Sequence, residues 1–271
     1  MINRTLRTHA ALQAFVLHRY DWSESSLILD LYTREQGRLA VVAKGAKRPY
    51  SQLRSVLLPF QRIHVSLVHL RLPTDDGHLP EVQTLRTAEW IGGVPMLTGA
   101  ALFSGFYCNE LLLKLLARHD PHPGLFDAYA LTLPSLAETE DAKVQAALRA
   151  FELALLNQVG VLPDLSRVTL TQQPVGEDDQ LALLPEAGVT AMRAGDAVLP
   201  GRLLIGMQAA LEHGSLPALQ HACMPALPEL KATLRALLHY HLGSPLLRTR
   251  QVMLDLQAFE PIREHFPHPR P

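Results

Sequence analysis

Cysteine is scarce: Cys108 and Cys223 are the only two in 271 residues. Two thiols cannot frame a chain of this length, which argues against a disulfide-stapled secreted fold and for a reduced compartment. Residues Met1 to Ala11 lack the apolar core of an export signal, and no run of about 18 apolar residues occurs anywhere in the chain. Neither export nor a membrane span is expected, and the cytosol is the default location. Charge is also sparse, at 19% of residues with a formal net of -1 and a pI near 6.9. No global excess of cations therefore announces a polyanion partner.

The average hides an asymmetry. Between residues 34 and 71 stand Arg34, Arg38, Lys44, Lys47, Arg48, Arg54, Arg62 and Arg71 against one acid, Glu35, whereas residues 93 to 227 carry twice as many acids as bases. An apolar fraction of 48% is ample for a buried core, and the length favours two domains over one.

Hydrophobic patterning divides the chain near residue 90. Leu12 to His18, Ser26 to Thr33, Arg38 to Ala43, Ile63 to Arg71 and Glu81 to Thr87 are rich in Val, Ile, Leu and aromatics, and are separated by turn-forming Gly, Pro, Asp and Ser. Five strands in a compact barrel or sandwich are expected. Beyond Pro95 the period becomes helical, with Leu102, Phe106, Asn109, Leu112, Leu113 and Leu116 after a capping Thr98. Further helices are expected at about 141–158, with an apolar stripe of Val144, Ala147, Leu148, Phe151 and Leu155, and at 202–212, 228–241 and 247–259. Residues 163–201 break this pattern with Pro, Gly and acids, and read as an insertion with a hairpin pairing Val168–Leu170 with Leu181–Leu184. The last residues, Pro261 to Pro271, are expected to fray.

The segment Val42-Ala43-Lys44-Gly45-Ala46-Lys47-Arg48-Pro49 follows a strand, and its small residues let a partner's backbone approach three cations. A phosphate backbone suits it, because each neutralised phosphate releases counterions. The full glycine-rich nucleotide loop is absent. Of Phe15, Tyr20, Trp22, Tyr32, Tyr50 and Phe60, Tyr50 beside the basic loop is the best candidate for stacking on a base, whereas Phe15 and Phe60 read as core. His239 and His241 point about 200° apart on a helix, His119 and His122 flank a proline-rich turn, and His221 with Cys223 on one strand face is too few for a site, so no metal is expected. Glu177-Asp178-Asp179 reads as a solvated turn, and no nucleophile and base pair is recognisable. A non-enzymatic protein without cofactors is the expectation.

Four stretches resemble the RecO family: Phe15–His18 with Trp22–Leu27, Gly37-Arg38 and Val42–Ala46; Tyr107–Leu113; Leu148–Leu156 with Gly160 behind it; and Tyr240–Arg250. The resemblance spans nearly the whole chain. It implies an α+β protein with an N-terminal five-stranded OB-fold barrel over residues 1–90 and a helical domain over 91–271 carrying the insertion at about 163–201. It also implies DNA repair and recombination without ATP hydrolysis: binding of single- and double-stranded DNA, annealing of complementary strands, binding of the acidic C-terminal tail of single-stranded DNA-binding protein, and work with RecR and RecF to load RecA. Nucleoid association follows. The expected DNA surface is Arg34, Arg38, Lys44, Lys47, Arg48, Tyr50 and Arg54, with Arg248 and Arg250 as candidates from the helical part. Arg149 matches a family arginine implicated in tail binding, with Tyr107, Leu111 and Phe151 as pocket walls, since a planar guanidinium suits a carboxylate. Many relatives hold zinc through cysteines in the insertion; here there are none, and the resemblance is to a zinc-free branch whose hairpin is held by packing. The competing reading is an adaptor whose barrel is only a scaffold.

Overall fold

The computed structural model describes residues 11–68, 81–93, 96–243, 247–252 and 255. Arg71 and the segments 256–259 and 261–271 lie outside them. The chain groups into two compact units, one of residues 1–96 with 116–134 and the other of 97–115 with 135–271.

The first unit is a closed five-stranded barrel of β1 (Leu12–Asp21), β2 (Leu27–Thr33), β3 (Gly37–Ala43), β4 (Gln61–Leu67) and β5 (Val82–Gly93), in the order β1-β2-β3-β5-β4. β3 and β5 run parallel and every other pair is antiparallel, the Greek-key closure of an OB-fold. Strand alternation builds the interior: Leu12, Ala14 and Val16 of β1, Leu29 and Leu31 of β2, Leu39 and Val41 of β3, and Ile63 and Val65 of β4 share one core. The intervening Phe15 and Tyr32 therefore face outward. They are buried all the same, because helix α3 (Pro123–Ser135) lays Phe126 and Tyr129 over them at ring-centroid distances of 5.0 to 6.4 Å. Phe15 is thus core, as expected, but outside the barrel. Gly37, at the β2–β3 turn, has φ +68° and backs onto residue 120, where a Cβ would sit 2.1 Å from the Asp120 carbonyl oxygen. A one-turn helix α1 (Leu53–Val56) links β3 to β4.

The second unit is built around α4 (Asp141–Gln158). From Ala146 to Leu156 nearly every side chain of α4 is buried, including Arg149 and Glu152, so it is a central helix rather than one with a single apolar stripe. It packs against α2 (Gly99–Leu115), α6 (Leu216–Cys223) and α7 (Leu227–Leu242), with α5 (Gly201–Glu212) beside α6 and a 3-10 turn (Met224–Ala226) before α7. His221 and Cys223 stand on helix α6, not on a strand; Ser215 accepts from the Ala218 N–H and Pro217 opens the first turn.

The expected hairpin is differently paired. β6 (Gln180–Leu184) joins β7 (Gly188–Ala191) through a short turn and β8 (Leu199–Pro200) on its other edge. Residues 168–170 instead cross β7: the Thr169 N–H donates to the Val189 carbonyl and Thr169 Oγ1 accepts from the Val189 N–H. Gly188, at φ +64°, leaves room for that hydroxyl, since a Cβ there would lie 2.2 Å from it. Buried Leu165, Val175, Leu181, Leu183, Val189 and Leu199 complete the insertion. Hydrogen bonds and packing hold it together, rather than packing alone. Among the described residues, no helix is long and apolar enough to cross a membrane.

Candidate nucleic-acid and peptide interfaces

The basic segment of the sequence separates into two populations. Arg38 is buried: it donates to the Leu116 carbonyl at 2.7 Å and lies 3.5 Å from the equally buried Asp30, which Arg118 approaches to 3.6 Å. Arg34 holds Asp127 of α3 with two bonds of 3.0 and 2.9 Å. Arg62 donates to Gln13 and stacks 5.8 Å from the centre of the Phe126 ring. These guanidiniums tie the barrel to the residues that cover it: Arg38 is buried, whereas Arg34 is paired with Asp127 and keeps about two-fifths of its side chain exposed.

Lys44, Lys47, Arg48 and Arg54 remain together at one end of the barrel. The loop after β3 is tightly wound, with the Arg48 N–H on the Gly45 carbonyl and the Ser51 N–H on the Arg48 carbonyl. It is anchored to the β1–β2 turn by the Lys47 N–H on the Ser25 carbonyl (3.0 Å) and by Lys47 Nζ on the Ser23 carbonyl (3.0 Å) and Asp21 (3.2 Å). Lys44, Arg48 and Arg54 are exposed, and a hollow of about 460 Å³ lies between Arg19, Lys47, Arg54 and the apolar Leu27, Leu53 and Leu57. Tyr50 is 99% exposed and Trp22, in the neighbouring turn, 64%. Large aromatics left in water beside cations are the combination a single-stranded nucleic acid uses. Arg19 and Trp90 were not among the expected contacts; Trp90 is 61% exposed on β5, with its indole N–H on Gln61.

A second concavity, of about 340 Å³, opens in the helical unit. Its walls are Phe103, Ser104 and Tyr107 of α2, Leu148, Arg149 and Glu152 of α4, Lys231, Arg235, Leu238 and His239 of α7, and Leu247, Thr249 and Arg250. Four permanent cations and an apolar floor thus surround one carboxylate. Arg149 Nη2 donates to Glu152 Oε1 at 2.8 Å, and the Tyr107 hydroxyl donates to the same oxygen at 2.6 Å. Burial raises the Glu152 pKa while Arg149 and Tyr107 pull it down, and burial holds the Tyr107 phenol well above its ordinary value, so it stays a donor. Burial, with Arg250 and Arg235 adding to it, lowers the His239 pKa. Glu152 Oε2 and Arg149 Nε, both buried, have no protein partner among the described residues. The described residues contain no cluster of three or more metal-ligating side chains.

The amino-acid sequence matches two family models that divide the chain between residues 91 and 96: "Recombination protein O N terminal" over residues 8–91 and "Recombination protein O C terminal" over residues 96–250. The chain belongs to the RecO family. Curated RecO relatives agree along nearly their whole length. The DNA repair protein RecO of Verminephrobacter eiseniae is 51% identical over 247 residues, covering 90% of this chain and 95% of the relative. That of Polaromonas sp. (strain JS666 / ATCC BAA-500) is 50% identical over 90% of the chain and 96% of the relative, and that of Variovorax paradoxus 48% over 90% and 95%. A role in DNA repair and recombination follows for this RecO-family chain.

Of the residues expected to form the peptide pocket, Arg149 and Tyr107 line the groove. Leu111 and Phe151 are fully buried and do not. Phe151 is two residues, or about 200°, around α4 from Arg149 and enters the core on the other side. On α2 the groove extends from Tyr107 back toward Phe103 rather than on to Leu111. Arg250 lines this groove, while the exposed Arg248 bonds through its backbone to Glu110.

Proposed function

We propose that this chain is a recombination mediator that binds single- and double-stranded DNA at the loop end of its barrel and the acidic C-terminal tail of single-stranded DNA-binding protein in its helical groove. The groove is the observation that carries the reading. An acidic peptide ending in an aromatic residue and a free carboxylate needs cations beside an apolar floor, and Arg149, Lys231, Arg235 and Arg250 around Phe103, Leu148, Leu238 and Leu247 supply both.

At the barrel, Lys44, Lys47, Arg48 and Arg54 neutralise phosphates while Tyr50 and Trp22 offer stacking faces. Neutralisation from one side leaves base edges open, so two strands meet without mutual repulsion and anneal passively, with no turnover of ATP. Arg34 and Arg38 act one step back, by fixing the barrel against α3 and the 116–119 segment. Tail capture places the protein on coated strands within the nucleoid, where RecR and RecF join it in loading RecA, as the family resemblance implies.

Annealing of complementary oligonucleotides coated with the cognate single-stranded DNA-binding protein, without ATP, tests the reading. Acceleration by this chain is expected. No acceleration by a folded protein that still binds partner proteins would favour an adaptor with an inert barrel.

A further inference from the structure

One wall of the groove is held by a single distant carboxylate. Residues 247–252 begin a helical turn, with the Gln251 N–H on the Leu247 carbonyl at 3.0 Å. The residue at its start, Leu247, has no side-chain acceptor for the first free N–H groups of that turn. Glu110 of α2, 138 positions away from Arg248, serves them instead: its Oε1 accepts the Arg248 N–H at 2.8 Å, and its Oε2 accepts both the Thr249 N–H at 2.9 Å and the Thr249 hydroxyl at 2.8 Å. Glu110 is itself buried, with Lys114 3.9 Å away. A carboxylate at the start of a helical turn makes short charge-assisted bonds and meets the positive end of the turn's dipole. The turn so pinned carries Leu247, Thr249 and Arg250, all of which line the groove. α2 therefore supplies one part of the lining through Phe103 and Tyr107 and fastens another through Glu110.

We propose that Glu110 is a positioning residue for the peptide groove, a latch that holds residues 247–252 so that Leu247 and Arg250 face the bound acidic peptide. The inference rests on the peptide reading above for its ligand, but the latch has a readout of its own. The probe is a fluorescein-labelled peptide of several aspartates and a C-terminal phenylalanine with a free carboxylate, titrated against the full chain.

Glu110→Ala is expected to weaken its binding by about tenfold, since three charge-assisted hydrogen bonds are lost. Arg250→Ala should also weaken it, and in the Arg250→Ala background Glu110→Ala should cost less than about threefold, because both changes remove the same contact. Hydrogen exchange of the Arg248 and Thr249 amides should be slow in the parent and fast in Glu110→Ala, with the thermal transition of the unit retained; Glu110→Gln, which keeps one acceptor, should fall between. A full tenfold loss in both backgrounds would mean that Glu110 acts elsewhere and would overturn the latch, as would amides still protected in Glu110→Ala. If the parent does not bind the peptide yet its two amides lose protection in Glu110→Ala, the latch stands and the peptide reading falls.

Discussion

At the end of the barrel Lys44, Arg48 and Arg54 stand in solvent, whereas in the helical unit Arg149 is sealed against Glu152 with about a fifteenth of its surface open. The two cationic surfaces are built on opposite principles. The barrel end has solvent-exposed charges on a tightly wound loop, and under the proposed function their attraction for phosphates would be long-ranged and screened by salt. The groove has a buried guanidinium bonded to an acid that also accepts from a phenol, with Lys231, Arg235 and Arg250 around it; under the proposed function its selectivity would come from geometry and desolvation. Cation content alone therefore does not say what a surface binds. The partner that holds each cation decides it.

Removing one arginine from each surface should separate the two by their effect on stability. Arg149→Ala leaves Glu152 buried without its counter-charge and should cost about 3 to 5 kcal/mol in denaturant unfolding, whereas Arg48→Ala should stay within about 0.5 kcal/mol of the parent. Equal costs would show that Arg149 is not part of an ionic core. Because Arg149→Ala risks unfolding, peptide binding is better tested with Arg235→Ala and Arg250→Ala.

Trp22→Ala or Tyr50→Ala should weaken single-stranded oligonucleotide binding by about 1 to 3 kcal/mol, the range of one stacked base. Duplex binding should change little in the same titrations. Loss on both substrates alike would assign the rings to the fold of the loop.

The smallest effect is in pH. Glu152 has its pKa raised by burial, so its ionisation opposes folding: the chain gains stability below the unfolded carboxylate value of about 4.3 and loses it as pH rises from there through the raised folded value. Compared with Glu152→Gln, the parent should become relatively less stable across that window in urea unfolding. The opposite slope would mean that Arg149 and Tyr107 outweigh desolvation.

Much of the barrel was legible because strands report their two faces directly: Leu29 and Leu31 alternate with outward residues, and Gln36-Gly37 and Gly45 mark the turns. α3 escaped notice because Pro121, His122 and Pro123 read as a turn, although a proline also suits the first turn of a helix. α6 was hidden by its length of 8 residues, despite the cap at Ser215. The residues of the candidate surfaces were less legible than the strands. Lys44, Lys47 and Arg48 show in the sequence because their neighbours are small. Arg34 and Arg38 look the same in sequence, yet Asp127 and Asp30 engage them, and pairings between distant positions leave no periodic trace. Lys231 and Arg235 of the groove were signalled only weakly, by their spacing of four on one face of α7.

If DNA and peptide use separate surfaces, as proposed, a crossed titration will tell them apart. Lys44, Lys47 and Arg48 would be replaced together by Ala in one variant and Arg235 and Arg250 in another, and each would be titrated with a naked single-stranded oligonucleotide over a range of salt and with the acidic phenylalanine-terminated peptide. The barrel variant should lose DNA affinity, with its salt slope flattened by about 0.7 for each phosphate contact removed, and keep peptide affinity, while the groove variant should do the reverse. Both ligands weakened equally by either variant would show one shared surface instead of two.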